Sequence, residues 1–276
     1  MHVVHRHRRS RSRGDGAGVH PGPVLSLPRT EARLLPAYTR GVSRGDEERD
    51  LADDRAELVA KLAHEVRGPV STIRGIATTA LAHYEALSDE ERREFLGLIR
   101  HEAERMERTV EQIALALRLD ADAVRPHRRP HDLVEVVGAA AAAGAADRPV
   151  TIDAPDGLVA PIDVTLISRI VGELIDNAVR FSPDGSPIAI RLAGDDDAVS
   201  IGIRDQGPGI PADRRDAVFD RFVDWRPTGY EDRPGTGLGL FISRAVARLH
   251  GGETSIVDDP EGGTMLSVRL PRGADG

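Results

Sequence analysis

Between residues 46 and 117 the apolar side chains recur every three or four residues. Leu58, Leu62, Val66, Pro69, Ile73, Ile76, Ala80, Tyr84 and Leu87 make one stripe. Ile99, Ala103, Met106, Val110, Ile113 and Leu117 make a second, alternating four and three. That period predicts two amphipathic helices. Between them Ser88 and Glu91 have the spacing of a capping box, which starts the second helix there. Two long helices joined by a short turn form a helical hairpin. One hairpin is too thin to cover both seams, so pairing with a second copy in a homodimeric four-helix bundle is expected.

Beyond a linker at residues 125–130 the pattern changes. Residues 133–146 are alanine-rich and read as a helix, "VTIDAP" as a short strand, and residues 163–181 as an amphipathic helix. "PIAIRLA" and "AVSIGIRD" alternate like two strands of a hairpin around the acidic turn "GDDD". Residues 206–236, rich in Gly, Pro and charge, are too long for a plain connection and suggest a functional lid. A helix over 241–250 and the strands "ETSIVD" and "TMLSVRL" complete the chain. Strands and helices do not alternate strictly. The fold class is therefore α+β: a helical hairpin followed by an α/β sandwich with helices layered on one face of a sheet.

Composition narrows the function. The net charge of −8 is uneven. Residues 1–45 hold nine arginines against Asp15 and Glu31, a balance of +7, so the rest carries −15. An acidic body argues against nucleic acid as a partner. The basic segment, without a sustained period, reads as a disordered extension. Its arginines precede no apolar core segment, so no cleavable leader is expected. No apolar run approaches the ~20 residues that span a bilayer, so no transmembrane segment is expected. The chain has no cysteine, which fits a reducing, cytoplasmic setting. The expected organisation is the extension over 1–45, the hairpin over 46–122 and a catalytic domain over 130–272.

Four clusters carry candidate chemistry. His64 lies off the apolar stripe and points to solvent. Its neighbour Glu65 can accept a proton from one ring nitrogen, leaving the other as a nucleophile. Gly68 and Pro69, just beyond, weaken the helix and predict a bend. In "ELIDNAVRFSP", Glu173, Asn177 and Arg180 share one helix face. Carboxylate, amide and guanidinium together suit a metal–phosphate site. In "DQGPGI", directly after a strand, Gly207 and Gly209 let backbone approach a flat ligand, and Asp205 can accept from an exocyclic amine such as that of adenine. "GTGLGL" leads into a helix, where free amides bind phosphate. It is neither a P-loop nor a dinucleotide fingerprint.

In order and spacing these clusters resemble the sensor histidine kinases of two-component signalling, over roughly residues 50–272. "HEVRGP" is similar to the H box, "ELIDNAVRFS" to the N box, "DQGPG" and "GTGLGL" to the two glycine boxes, "VFDRF" to the F box, and "GGT" to the terminal glycine motif. The resemblance implies an ATP-dependent kinase that phosphorylates its own His64, with Glu65 as general base, and passes the phosphoryl group to an aspartate of a response regulator. It implies ATP and Mg2+ as cofactors, with Asn177 holding the metal. Glu173 and Arg180 would border the phosphates, Arg180 replacing a commoner lysine. Asp205 would read the adenine amine, with Gly207 and Gly209 shaping its pocket. Gly235, Thr236, Gly237, Leu238 and Gly239 would cradle the phosphates, and Phe219 and Phe222 would anchor the lid. Two rivals stay open. One is an ATPase of the gyrase and heat-shock chaperone superfamily, or a serine kinase sharing its fold. The other is a degenerate, non-catalytic dimeric scaffold.

Overall fold

The structure is a computed structural model that describes residues 4–6, 63, 65–145, 148–223, 225–233, 235–258 and 263–273. His64, Leu58 and Leu62 lie outside the described residues, as does most of the basic extension. Of that extension, expected to be disordered, residues Val4–Arg6 form a strand (β1).

The first hairpin helix, α1, covers described residues 65–82 and stays helical through Gly68 and Pro69. Pro69 is buried, and it supplies no N–H to the carbonyl one turn back. Residues 83–87 turn, so Tyr84 and Leu87 fall beyond the helix they were expected to extend. Helix α2 spans Asp89–Asp120 with Ser88 as its N-cap. The capping box is present: Ser88 N–H donates to Glu91 Oε2 at 2.7 Å, and Glu91 N–H to Ser88 Oγ at 3.3 Å. Such a cap contributes about 1 kcal/mol.

The expected seam of α2 is not its most buried face. Ala103, Val110 and Leu117 are exposed, while Ile99, Met106 and Ile113 are half-buried. Glu102, Thr109, Ala116 and Leu119 are buried instead. The helix has two apolar faces, and within one chain the second packs: Ala116 and Leu119 join the core of the domain that follows.

In that domain residues 125–130 are not linker throughout. Strand β2 (Arg129–Asp132) pairs antiparallel with β4 (Val159–Ile162), a strand the sequence pattern did not disclose. Asp132 Oδ1 accepts from Val134 N–H and from Leu158 N–H, capping helix α3 (Leu133–Gly144) and tying it to the start of β4. Helix α4 (Val164–Phe181) begins at the N-cap Asp163 and buries Leu166, Ile167, Ile170, Val171, Leu174, Ile175 and Ala178. That 3–4 spacing presses one face into the core and leaves Asn177 and Arg180 half-buried at its edge.

The main sheet holds β1, β3 (Val150–Asp153), β5 (Ile188–Gly194), β6 (Ala198–Arg204), β7 (Glu253–Asp258) and β8 (Thr264–Pro271) in the order β1-β3-β5-β6-β8-β7. The hairpin of β5 and β6 pairs Ala189 with Arg204 through Gly194 with Val199, as the alternation predicts. Along β8, Thr264, Leu266, Val268 and Leu270 are buried and their neighbours less so, which gives the sheet one covered face. Helix α5 (Gly239–Leu249) starts two residues before the periodicity suggests and packs on α4 and on β7.

Behind the sheet face, His250 caps α5. It is buried, its Nδ1–H donates to the Val246 carbonyl at 2.9 Å, and its Nε2 accepts Asp163 N–H at 3.1 Å. The Asp163 carboxylate accepts from Leu166 N–H and His127 N–H. This arrangement needs a neutral ring. Burial pushes His250 below the usual histidine value; the Val246 carbonyl and Asp163 pull it up, and Arg128 pushes it down again. An unfolded chain therefore takes up the proton first, near pH ~6.5, and the stability from the neutral ring is lost as pH falls below that. The expected result is a melting temperature that drops between pH 7.5 and 5.5, with a smaller drop in His250→Gln. Asp163, whose carboxyl lies below its ordinary range, titrates outside that window. Equal drops in the two proteins would refute the assignment.

Candidate functional site

One cleft gathers most of the residues singled out from the sequence. Glu173, Asn177 and Arg180 line it from α4, Asp205 follows from the end of β6, and Gly207 and Gly209 from the loop after it. Thr236, Gly237 and Gly239 close it from the glycine loop that opens α5. Helix spacing explains the first group: one face of α4 is committed to the core, and the next face carries the polar set.

Asp205 is 6% exposed. Its Oδ1 accepts from Gly207 N–H at 2.7 Å and from Thr264 N–H at 3.2 Å. These bonds fix the carboxyl plane beside the cleft. Burial holds its pKa above the usual carboxylate value, and the two amides and Arg204 pull against that shift. A side chain at Gly207 would sit 2.5 Å from the Phe181 carbonyl, so only glycine fits there. The terminal "GGT" motif is thereby explained in part: its threonine, Thr264, supplies an amide to Asp205.

Glu173 is 5% exposed. Its Oε1 lies 2.8 Å from Arg169 Nε, an ion pair without hydrogen-bond alignment. Its Oε2 accepts from Gln112 Nε2 at 2.6 Å. Burial pushes its pKa up, Arg169 lowers it and Asp176 raises it. Burial likewise holds Arg180 below its ordinary value, opposed by Asp176 and deepened by Arg226. The polar wall of the cleft thus holds its charges at a desolvation cost that a bound, oppositely charged group would offset.

The glycine loop is built around close approaches. Gly237 has φ +68°, and a Cβ there would lie 2.6 Å from the Val223 carbonyl. At Gly239 a would-be Cβ would lie 2.8 Å from Glu173 Oε2. Gly235 does not line the cleft; it lies against the Arg180 guanidinium and offers its carbonyl to Arg226. Leu238 stands between Gly237 and Gly239. Its side chain is fully buried in the core, and its N–H is taken by Thr236 Oγ1 at 3.1 Å. It anchors the loop from behind, because burying a leucine there is worth about 2 kcal/mol.

The segment following Asp205, expected to act as a lid, carries two short 3-10 turns, Ala212–Arg214 and Ala217–Phe219. Phe219 is buried and Phe222 half-buried against the core. Arg226 ties the two sides of this segment together through the carbonyls of Val223, Trp225, Arg233 and Gly235. Gln112, Trp225 and Arg226 line the cleft and were not singled out from the sequence. An arginine or glutamine among many polar residues carries no local signal of its own. Glu65 sits half-buried on α1, beside the undescribed His64.

Comparison with known proteins agrees with this architecture. Residues 54–121 match the His Kinase A (phospho-acceptor) domain, and residues 162–274 match the histidine kinase-, DNA gyrase B-, and HSP90-like ATPase family. The chain is similar to the sensor histidine kinase TmoS of Ectopseudomonas mendocina, 32% identical over 82% of this chain and 24% of that one. It is also similar to the probable sensor histidine kinase TcrY of Mycobacterium tuberculosis, 34% identical over 78% of this chain and 45% of that one. The chain thus spans less than half the length of these relatives. The solved structure of the Acinetobacter baumannii histidine kinase AdeS shares the fold, with a TM-score of 0.58 at 20% identity over 76% of this chain and 98% of that one. A phospho-acceptor hairpin followed by an ATPase domain, with the cleft built by the motifs of that family, places the chain in it: it belongs to the sensor histidine kinases.

Proposed function

We propose that the chain is an ATP-dependent protein-histidine kinase that phosphorylates His64 and passes the phosphoryl group to an aspartate of a response regulator. The observation that carries this reading is the convergence of Glu173, Asn177, Arg180, Asp205 and the glycine loop on one cleft. A hairpin bearing His64 and Glu65 precedes it in the chain. Glu65 takes the proton of one ring nitrogen of His64. The other nitrogen forms the N–P bond as the bond from the γ-phosphorus to the β,γ-bridging oxygen breaks, and ADP leaves with that electron pair. In transfer, the N–P bond breaks and an O–P bond forms on the regulator's aspartate. Asp205 accepts from the adenine amine, and the glycine-loop amides and Arg180 hold the phosphates.

The oxygen donors in the cleft fit Mg2+. Asn177 and Glu173 stand one turn apart on α4, and hard oxygen ligands completed by phosphate are what that ion takes. When bound, it neutralises charge on the phosphate oxygens. Homodimerisation belongs to the same reading: Leu96, Leu98, Val110 and Leu117 of α2 are large apolar side chains left exposed in one chain. Among the described residues no helix is long and apolar enough to cross a membrane. A cytoplasmic location is part of the proposal, supported by ATP and a response regulator as partners.

The test is incubation with γ-labelled ATP, followed by a receiver domain. Acid-labile, base-stable label that then moves to the receiver is the expected result. Acid-stable label would favour the serine kinase rival, and no label with intact nucleotide binding would favour the scaffold.

A further inference from the structure

Gln112 is a hairpin residue inside the nucleotide cleft. It lies on α2, outside the ATPase domain, yet its side chain reaches both walls of the cleft. Its Nε2 donates to Glu173 Oε2 on α4 at 2.6 Å, and its Oε1 accepts from Thr236 Oγ1 of the glycine loop at 3.0 Å. Thr236 in turn accepts Leu238 N–H, so the chain of bonds runs from α4 through α2 into the start of α5. Around it α2 is docked by further contacts. Glu111 lies 3.4 Å from Arg169, Asp120 lies 2.7 Å from Arg221, and Ala116 and Leu119 are buried in the core.

We propose that Gln112 is an interdomain latch: its amide bridges the two walls between which the phosphate tail enters, so docked α2 and a bound triphosphate exclude one another. This rests on the reading of the cleft as the nucleotide site. A side chain hydrogen-bonded to both Glu173 and Thr236 occupies the gap between them. It also engages the carboxylate oxygen and the hydroxyl nearest the glycine loop. A triphosphate needs that gap and must displace the amide. By linkage, nucleotide then weakens α2 docking by the same factor by which docking weakens nucleotide. The cleft thereby reports its occupancy to the second helix of the hairpin. The adenine end, at Asp205, is untouched by the latch.

The test compares wild type with Gln112→Ala and Gln112→Ser, the latter polar but too short to span the gap. Binding of a non-hydrolysable Mg·ATP analogue and of AMP is measured by calorimetry. Both variants are expected to bind the triphosphate about fivefold more tightly or better, with AMP affinity unchanged. Hydrogen exchange at amides 112–120 is expected to speed up on triphosphate binding to wild type and to change less in the variants. Equal or weaker triphosphate affinity in both variants, or equal tightening toward AMP, overturns the latch. A wild type that binds neither nucleotide overturns the nucleotide reading itself, and the latch with it.

Discussion

His64→Gln is expected to abolish incorporation of label from γ-labelled ATP while nucleotide affinity stays within about twofold of wild type. The two effects separate because the residues concerned belong to different parts of the chain. Most groups that line the cleft come from α4, the end of β6 and the loops beyond it, and Gln112 of α2 joins them; the first hairpin helix is not represented among the described lining residues. His64 belongs to the stretch matching the phospho-acceptor domain. Glutamine keeps the size and polarity of the side chain but has no ring nitrogen with a free lone pair to attack phosphorus. The loss should therefore be complete rather than partial, with no change in melting temperature beyond a degree or so. Acid-labile label that persists in the variant would move the phosphoacceptor elsewhere, and loss of nucleotide binding would mean that the residue shapes the cleft instead.

Asn177→Ala should give a comparable loss by another route. Asn177 stands between Glu173 and Arg180 along the polar face of α4 and lines the cleft. The core face of that helix, with Leu174, Ile175 and Ala178 buried, is unaffected by the change. Alanine also has the better helix propensity. Stability should hold or rise slightly, while autophosphorylation falls at least about 100-fold, the scale set by removing one preorganised polar group from a transition-state site. If Asn177 holds the cation, raising Mg2+ should recover part of the activity in the variant. A variant with near-normal autophosphorylation at all Mg2+ concentrations would remove Asn177 from the phosphate site.

The elements legible in the sequence are those fixed by local chemistry. The start of α2 is one: Ser88 and Glu91 close their capping box with partners three residues apart. The hairpin of β5 and β6 is another, since alternation decides which side chains face the core. The glycine boxes belong here too, because a positive φ at Gly237 or a close approach at Gly207 admits little else. Strand β4 escaped because it is four residues long and contains Pro161, which is tolerated only where its missing N–H is not needed. Strand β2 escaped because Arg129, Pro130 and His131 are all exposed and show no buried face.

The sequence by itself determined the two-part order of the chain, the face of α4 that carries Glu173, Asn177 and Arg180, and the residue types of the cleft. Periodicity and turn chemistry act over a few residues, and those features need no more. Only the tertiary structure decided which second face meets each first one. It turned the Glu102, Thr109 and Ala116 side of α2 inward where the heptad seam pointed elsewhere, and it buried the Leu238 side chain in the core. It also brought Gln112 to Glu173, 61 residues away in sequence. A polar side chain on a helix reads as solvated until another segment arrives to bury it. Burial of that kind is a property of the pair, and neither partner's neighbours along the chain record it.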